Sequence, residues 1–93
     1  MIYFDNAATT FPKPICVSEE MRKCVRLYGG NPGRGAHALS LEAAKQVYEC
    51  RTELSELFSA DGAERVFFTL NTTYGINTVL KGMLKEGDHV IIS

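Results

Sequence analysis

The sequence lacks the features that mark membrane and secreted proteins. No apolar run approaches the roughly 20 residues needed to cross a bilayer, and the start Met1–Asp5 has neither a basic region nor a long apolar stretch of the kind found in secretory signals. The three cysteines are an odd number and contain no Cys-x-x-Cys pair, which argues against a disulfide framework or a redox motif. These absences predict a reduced, cytoplasmic protein without a membrane-spanning segment.

An excess of charge of one sign is also missing. Ten basic residues stand against eleven acidic residues, and the formal net charge is -1. No run of like charge occurs along the chain, so the sequence offers no electrostatic reason to expect a nucleic-acid or anionic-membrane partner. A mixed, solvated surface is the simpler interpretation.

Several catalytic and metal-binding motifs are absent as well. The sequence contains no Gly-x-x-x-x-Gly-Lys-[Ser/Thr], no Gly-x-Ser-x-Gly and no His-Glu-x-x-His, which removes support for P-loop, hydrolase and zinc-protease functions. Its two histidines and three cysteines are scattered, so we predict no metal site. Cys16, Cys24 and Cys50 fall on or beside apolar helical positions, where we expect them to be small buried hydrophobic residues and not catalytic thiols.

The first half of the chain reads as two helices joined by a glycine-rich loop. With 93 residues and 45% apolar content, we expect one domain or less. A helix beginning near Pro14 and ended by Gly29-Gly30 carries one apolar stripe, predicted to be buried. The loop Asn31–His37 contains one proline and two glycines, and Ser40 is the predicted N-cap of the next helix. The stripe of the first helix consists of Val17, Met21, Cys24, Val25 and Tyr28.

The second half has the pattern of a β-α-β unit. Val66–Thr69 is an apolar strand candidate, and His89–Ser93 is another after the turn Lys85–Asp88. Ile2–Phe4 is a short additional strand candidate. Between Thr69 and Lys85, apolar residues follow the complete helical template; they are Ile76, Val79, Leu80, Met83 and Leu84. Strand, helix and strand within about 30 residues is the spacing of a crossover in a parallel sheet, so the predicted class is α/β.

The junction Asn71-Thr72-Thr73 joins the predicted strand to this helix. Backbone N–H groups in a first helical turn have no intrahelical partner, and the helix dipole places partial positive charge there, so this position suits a phosphate. Asn and Thr are also common N-caps. From the residues alone, a simple helix cap and a phosphate site both remain open.

Three segments together resemble a known family. They are Tyr3-Phe4-Asp5-Asn6-Ala7-Ala8-Thr9-Thr10, the loop Gly29-Gly30-Asn31-Pro32-Gly33-Arg34-Gly35-Ala36-His37, and the junction Asn71-Thr72-Thr73. In this combination the sequence resembles the opening quarter or so of a pyridoxal-phosphate-dependent cysteine desulfurase, in the class V aminotransferase superfamily. The three matching segments lie between Tyr3 and Thr73.

The resemblance assigns roles to individual residues. Thr73 is expected to bind the cofactor phosphate through its hydroxyl, and Thr72 through its backbone N–H. Asn6, Ala7 and Ala8 would form part of the substrate-cavity wall. Arg34 would reach the neighbouring cofactor pocket across a dimer interface, whereas His37 is expected to be a structural hydrogen-bonding residue.

The resemblance also implies a fold and an activity. Residues 1–93 would form one partial domain of a fold type I enzyme, with an N-terminal arm and helices in 1–62 and the start of the large parallel-sheet domain in 63–93. The whole enzyme would be a homodimer that binds pyridoxal 5'-phosphate and converts L-cysteine to L-alanine, leaving persulfide sulfur that a sulfur-acceptor protein could receive.

In the family, the Schiff-base lysine, the ring-stacking histidine and the nucleophilic cysteine lie beyond position 93. The five lysines present match no Schiff-base motif, so none of the 93 residues is expected to be catalytic and the chain is predicted to be an inactive N-terminal fragment. Selenocysteine lyase and other class V enzymes share the cofactor turn and remain alternatives. A non-catalytic anion-binding module and a purely structural fragment also remain open.

Overall fold

Three α-helices and one short 3₁₀ helix form the regular structure. The structure is a computed structural model that describes residues 1–93. In chain order the elements are α1 (Ile15–Leu27), α2 (Ala38–Leu57), the 3₁₀ helix Ala63–Arg65 and α3 (Thr72–Met83). The prediction of two helices followed by a third after residue 70 is therefore confirmed.

Helix α1 begins directly after Pro14, whose fixed backbone angle suits a helix start. It ends before the Gly29-Gly30 pair, with Tyr28 as its C-cap. On its exposed surface, Lys23 Nζ lies 2.5 Å from Glu20 Oε1. This hydrogen bond, reinforced by the charge of Glu20, raises the pKa of Lys23 above its ordinary value.

Helix α2 starts three residues earlier than the sequence predicts. Its N-cap is His37, whose Nδ1 accepts a hydrogen bond from the Ser40 N–H at 3.3 Å, so the prediction of Ser40 as N-cap is wrong. Ser40 lies one turn inside the helix and is completely buried, where its hydroxyl donates to the Asn31 carbonyl. The imidazole takes the capping role because the chain leaves the loop extended at His37, with φ -84° and ψ 162°.

A tight corner connects α2 to the 3₁₀ helix. Ser55 Oγ donates to the Ala60 carbonyl at 3.0 Å, and the Ala60 N–H donates to the Ser55 carbonyl at 2.8 Å. Gly62 supplies the positive φ of 96° that redirects the backbone. Ala63, only 6% exposed, then packs against α2. This corner is where most of the contact between separate elements occurs.

Helix α3 has local start and stop signals at both ends. Asn71 is its N-cap, and the turn at Lys85–Asp88 follows its C-terminus. In that turn the Asp88 N–H donates to the Lys85 carbonyl at 3.1 Å, and the Lys85 N–H donates to the Asp88 carboxylate at 2.7 Å. The predicted turn is confirmed.

The predicted β-α-β unit is not seen, although its helix is present. None of Ile2–Phe4, Val66–Thr69 and His89–Ser93 forms a strand, and the structure contains no sheet. Val66 has extended angles, with φ -111° and ψ 125°. A strand also requires a neighbour for its N–H and C=O groups, and the three segments do not pair with one another.

The predicted apolar stripes are not buried. Val17, Met21 and Val25 of α1 are all exposed, as are Ile76 and Val79 of α3. The three cysteines are likewise exposed, so the expectation of buried thiols is wrong in this structure. The reason is that no other element packs on these faces. The radius of gyration of 17.3 Å exceeds the roughly 12 Å expected of a compact chain of this length.

Two adjacent glycines provide a test of the loop before α2. A Cβ at Gly30 would lie 2.5 Å from the Leu39 carbonyl carbon and the Ser40 nitrogen, whereas at Gly29 the nearest atom is 3.9 Å away. We expect Gly30→Ala to lower the free energy of unfolding by about 1 to 3 kcal/mol, as overpacking does, and to speed hydrogen exchange in the first turn of α2. Gly29→Ala is the matched control. Equal effects of the two changes would contradict the close approach of Gly30 to α2.

Candidate functional site

The first turn of α3 is closed by the side chains around it. Asn71 Oδ1 accepts the Tyr74 N–H at 3.0 Å, and the Asn71 carbonyl accepts the Gly75 N–H at 3.0 Å. Thr69 Oγ1 donates to that same carbonyl at 3.0 Å. A Cβ at Gly75 would lie 3.3 Å from Thr69 Oγ1, so the small residue leaves room for this contact. The cap that the sequence suggested is therefore present at Asn71.

The cap leaves two backbone donors without a partner. Neither the Thr72 N–H nor the Thr73 N–H donates a hydrogen bond within the chain. Both belong to the first helical turn, where the helix dipole adds partial positive charge. The helix cap and the anion site are thus compatible, because the cap occupies the Tyr74 N–H and spares the two before it.

The two threonines face different sides of α3. Thr73 lies on an open, polar face of α3. Thr72 lies on the apolar face, beside Gly75, Ile76 and Val79. Side chains four residues apart share a helix face, and Asn77 and Lys81 follow Thr73 on the polar side. Of the two threonines of the junction, only Thr73 therefore lies on the polar face.

Asn77 and Thr78 are turned back onto the helix. Asn77 Nδ2 donates to the Thr73 carbonyl at 2.9 Å, and Thr78 Oγ1 donates to the Tyr74 carbonyl at 2.7 Å. The Thr73 hydroxyl makes no such bond, and its side chain is exposed. The Thr73 hydroxyl is therefore free to bind a ligand on the polar face, and the Thr72 hydroxyl, also without a hydrogen bond, lies on the apolar face.

Asn6 organises the N-terminal segment. Its Nδ2 donates to the Tyr3 carbonyl at 3.3 Å, and its Oδ1 accepts the Phe11 N–H at 3.3 Å. Ala7 and Ala8 lie at the tip of the resulting loop and are exposed. Asn6 is thus engaged in holding the loop, while the alanines present backbone and small side chains.

Lys13 is a residue of this segment that the sequence interpretation missed. Its Nζ donates to the Thr10 carbonyl at 3.0 Å and to Thr9 Oγ1 at 3.3 Å. A lysine three and four residues after a pair of threonines could have suggested this contact. The carbonyl acceptor, however, has no signature in the sequence.

Arg34 is exposed and makes no hydrogen bond or ion pair within the chain. The loop that carries it is anchored at its start, where Asn31 Oδ1 accepts the Gly33 N–H at 2.8 Å. His37 forms the N-cap of α2, which confirms its structural hydrogen-bonding role. The loop is held at both ends, and the guanidinium is available to a partner.

The structure does not bring the three segments together. No hydrogen bond or ion pair connects Tyr3–Lys13, Gly29–His37 and the first turn of α3 with one another. Each segment is ordered by contacts within a few residues of sequence. The candidate cofactor residues Thr72 and Thr73 are adjacent. Asn6, Ala7 and Ala8 lie together in the N-terminal loop, and Arg34 lies in a third part of the chain.

Metal and membrane features are also absent from the structure. No group of three or more His, Cys, Asp or Glu side chains is arranged to hold a metal ion. None of the helices combines the length and the apolar character needed to span a membrane.

The chain is similar to several cysteine desulfurases. It is 37% identical over 86 residues to the cysteine desulfurase SufS of Plasmodium falciparum, covering 92% of this chain and 16% of that protein. It is 36% identical over 92 residues to a probable cysteine desulfurase of Methanothermobacter thermautotrophicus, covering 98% and 22%. For the cysteine desulfurase IscS of Pseudoalteromonas translucida the identity is 36% over 96 residues, covering 97% and 23%.

The chain spans only about a sixth to a quarter of the length of these relatives. No solved structure matches it. The family profile of Aminotransferase class-V matches residues 2–93, which is nearly the whole chain. This chain therefore belongs to the class V aminotransferase family.

Proposed function

We propose that this chain forms the N-terminal part of a pyridoxal-phosphate-dependent cysteine desulfurase and contributes its phosphate-binding turn. The observation that carries the proposal is the pair of unpartnered N–H groups at Thr72 and Thr73 beside the free Thr73 hydroxyl. Relatives named cysteine desulfurase match the chain over nearly its whole length, which supports cysteine as the substrate.

The residues present fit a phosphate ester. Two backbone donors and the Thr73 hydroxyl belong to one helix terminus, where an anion is stabilised without a lysine or arginine. Asn71 contributes indirectly, because its cap fixes the first turn while leaving both donors free. When bound, the cofactor supplies the electron sink for the substrate's reacting carbon. The chain's own role is to hold the phosphate and so orient the cofactor.

The other two segments supply substrate contacts in this proposal. Ala7 and Ala8 form a wall of small residues that lets a short amino acid approach the backbone closely. Asn6 holds that wall in shape through its bonds to Tyr3 and Phe11. Arg34 reaches the partner's active site in a homodimer, where a guanidinium could bind a carboxylate with two parallel hydrogen bonds. A sulfur-acceptor protein and a cytoplasmic location complete the proposal.

Removal of the Thr73 hydroxyl tests the phosphate site. We expect Thr73→Ala in the full-length protein to weaken cofactor binding by about 1 to 3 kcal/mol, the range for one charge-assisted hydrogen bond. The dissociation constant for pyridoxal phosphate should therefore rise severalfold or more in an absorbance titration. Thr73→Ser should restore most of the affinity, because it returns the hydroxyl.

Thr78→Ala is the matched control for this experiment. Thr78 lies on the same helix, and its hydroxyl bonds only to the Tyr74 carbonyl, so its loss should leave the dissociation constant nearly unchanged. An unaltered constant in Thr73→Ala would remove Thr73 from the site.

A second prediction concerns Arg34. We expect Arg34→Ala to lower kcat/KM for cysteine while folding and cofactor absorbance stay intact, since the side chain makes no hydrogen bond or ion pair within its own chain. Mixing Arg34→Ala protomers with protomers that lack the Schiff-base lysine provides the sharper test. Recovery of one active site per heterodimer supports a contribution across the interface. No recovery, once subunit exchange is demonstrated, rules it out.

A third prediction concerns the 93 residues made alone. We expect no release of sulfide from cysteine and no borohydride-stable adduct with pyridoxal phosphate at a specific lysine, because a helix terminus holds a phosphate but fixes no aldehyde carbon. Intact mass analysis after borohydride treatment, with a lysine-containing peptide as control, measures this. A stoichiometric adduct on one of the five lysines together with sulfide release would contradict it.

A further inference from the structure

Arg51 makes the two longest-range side-chain hydrogen bonds in the chain. Its Nε donates to the Ala63 carbonyl at 3.1 Å and to the Val66 carbonyl at 2.5 Å, across 12 and 15 residues. The other side-chain hydrogen bonds span nine residues or fewer. Arg51 therefore joins α2 to the start of the segment that leads into α3.

The acceptors of Arg51 are backbone carbonyls, and the side chain forms no ion pair. Ala63 and Val66 are the two ends of the 3₁₀ turn, which the Val66 N–H closes by donating to the Ala63 carbonyl at 3.2 Å. Arg51 is half-buried, and its neighbours Ser55 and Ala63 are buried. The guanidinium thus holds the backbone from Ala63 to Val66 in place and does not neutralise a carboxylate.

That path leads to the phosphate-binding turn. Val66 is extended, and residues 66–69 contain no helix or turn. The five residue steps from Val66 to Asn71 span at most about 16 Å when the backbone is extended. At that length, a change of about 10° in direction at Val66 would move the turn by up to about 3 Å, as much as a whole hydrogen-bond length. A small change in backbone direction at the Arg51 contact therefore produces a large displacement of the Thr72 and Thr73 donors.

We propose that Arg51 is a positioning residue for the phosphate-binding turn, acting through the Ala63 and Val66 carbonyls. This rests on the proposed function, since it concerns how accurately the Thr72 and Thr73 donors meet the cofactor phosphate. A planar guanidinium directs its donors in fixed directions, which a lysine ammonium on a flexible stem does not. Arg51 itself touches neither cofactor nor substrate.

The test compares two ligands that differ only in the phosphate. Dissociation constants for pyridoxal phosphate and for pyridoxal are measured by absorbance on the full-length protein, and their ratio reports the phosphate contacts alone. We expect Arg51→Met to reduce the wild-type preference for the phosphorylated ligand about tenfold, as loss of one charge-assisted bond would. Arg51→Lys should give a smaller reduction, because the ammonium still donates to the carbonyls but its flexible stem does not fix the direction of the bond.

Lys45→Met is the matched control on the same helix. Lys45 is 62% exposed and pairs only with Glu49 at 3.8 Å, so its loss should leave the ratio unchanged. A merely structural role of Arg51 would lower the Tm, or weaken both ligands equally, without changing the ratio. That outcome overturns the positioning role. If Arg51→Met does not fold, Arg51→Lys decides, and an unchanged ratio in that variant overturns the proposal.

The proposed function fails in a different way. If the wild-type protein shows no preference for the phosphorylated ligand, the phosphate site itself is wrong and the role of Arg51 falls with it. If the wild type has the preference and the Arg51 variants keep it in full, only the positioning role is overturned.

Discussion

Backbone hydrogen bonding within helices is the interaction on which this structure depends. Of the 49 backbone–backbone bonds, 34 lie inside helices, and most of the rest close turns and caps. Burial contributes little, since only four of 93 residues are buried and two of those are serines. The order of the chain is consequently local, and the one place where separate elements pack is the corner between α2 and the 3₁₀ helix.

A chain ordered in this way leaves much apolar surface in water. Its accessible area of 8582 Å² compares with roughly 5,400 Å² for a compact protein of this mass. Isolated helices of 12 or 13 residues, such as α3 and α1, are marginal in water, and tertiary packing on an amphipathic face normally stabilises them. The proposed function accounts for these faces, because the sheet and helices of a whole desulfurase would cover them.

The same locality explains which features could be predicted from the sequence. Helices α1 and α3 and the Lys85–Asp88 turn depend on residues close in sequence, and their positions were predicted. The predicted strands are not formed, because a strand such as Val66–Thr69 needs a neighbouring segment to pair with, and the sequence pattern does not show whether one is present. Ser40 was misassigned as a cap because serine is a common cap, whereas an imidazole acceptor at His37 is not a usual signal.

The candidate site likewise contains features that can be predicted from neighbouring residues and features that cannot. The free N–H groups of Thr72 and Thr73 follow from the helix start and the Asn71 cap. Both of these features depend on consecutive residues and can be predicted from the sequence. The Arg51 contact has no such signature, because its acceptors are carbonyls that every residue possesses.

An anion site depends on both local sequence and long-range contacts, since the donors must meet the phosphate within a few tenths of an ångström. Local sequence creates the donors at Thr72 and Thr73, and long-range contacts decide where they point. Arg51 is the contact of that second kind nearest to the turn along the chain. The conformation of the first turn of α3 can therefore be predicted from its own residues. In our proposal, the position in which it binds a phosphate depends on Arg51, twenty residues earlier.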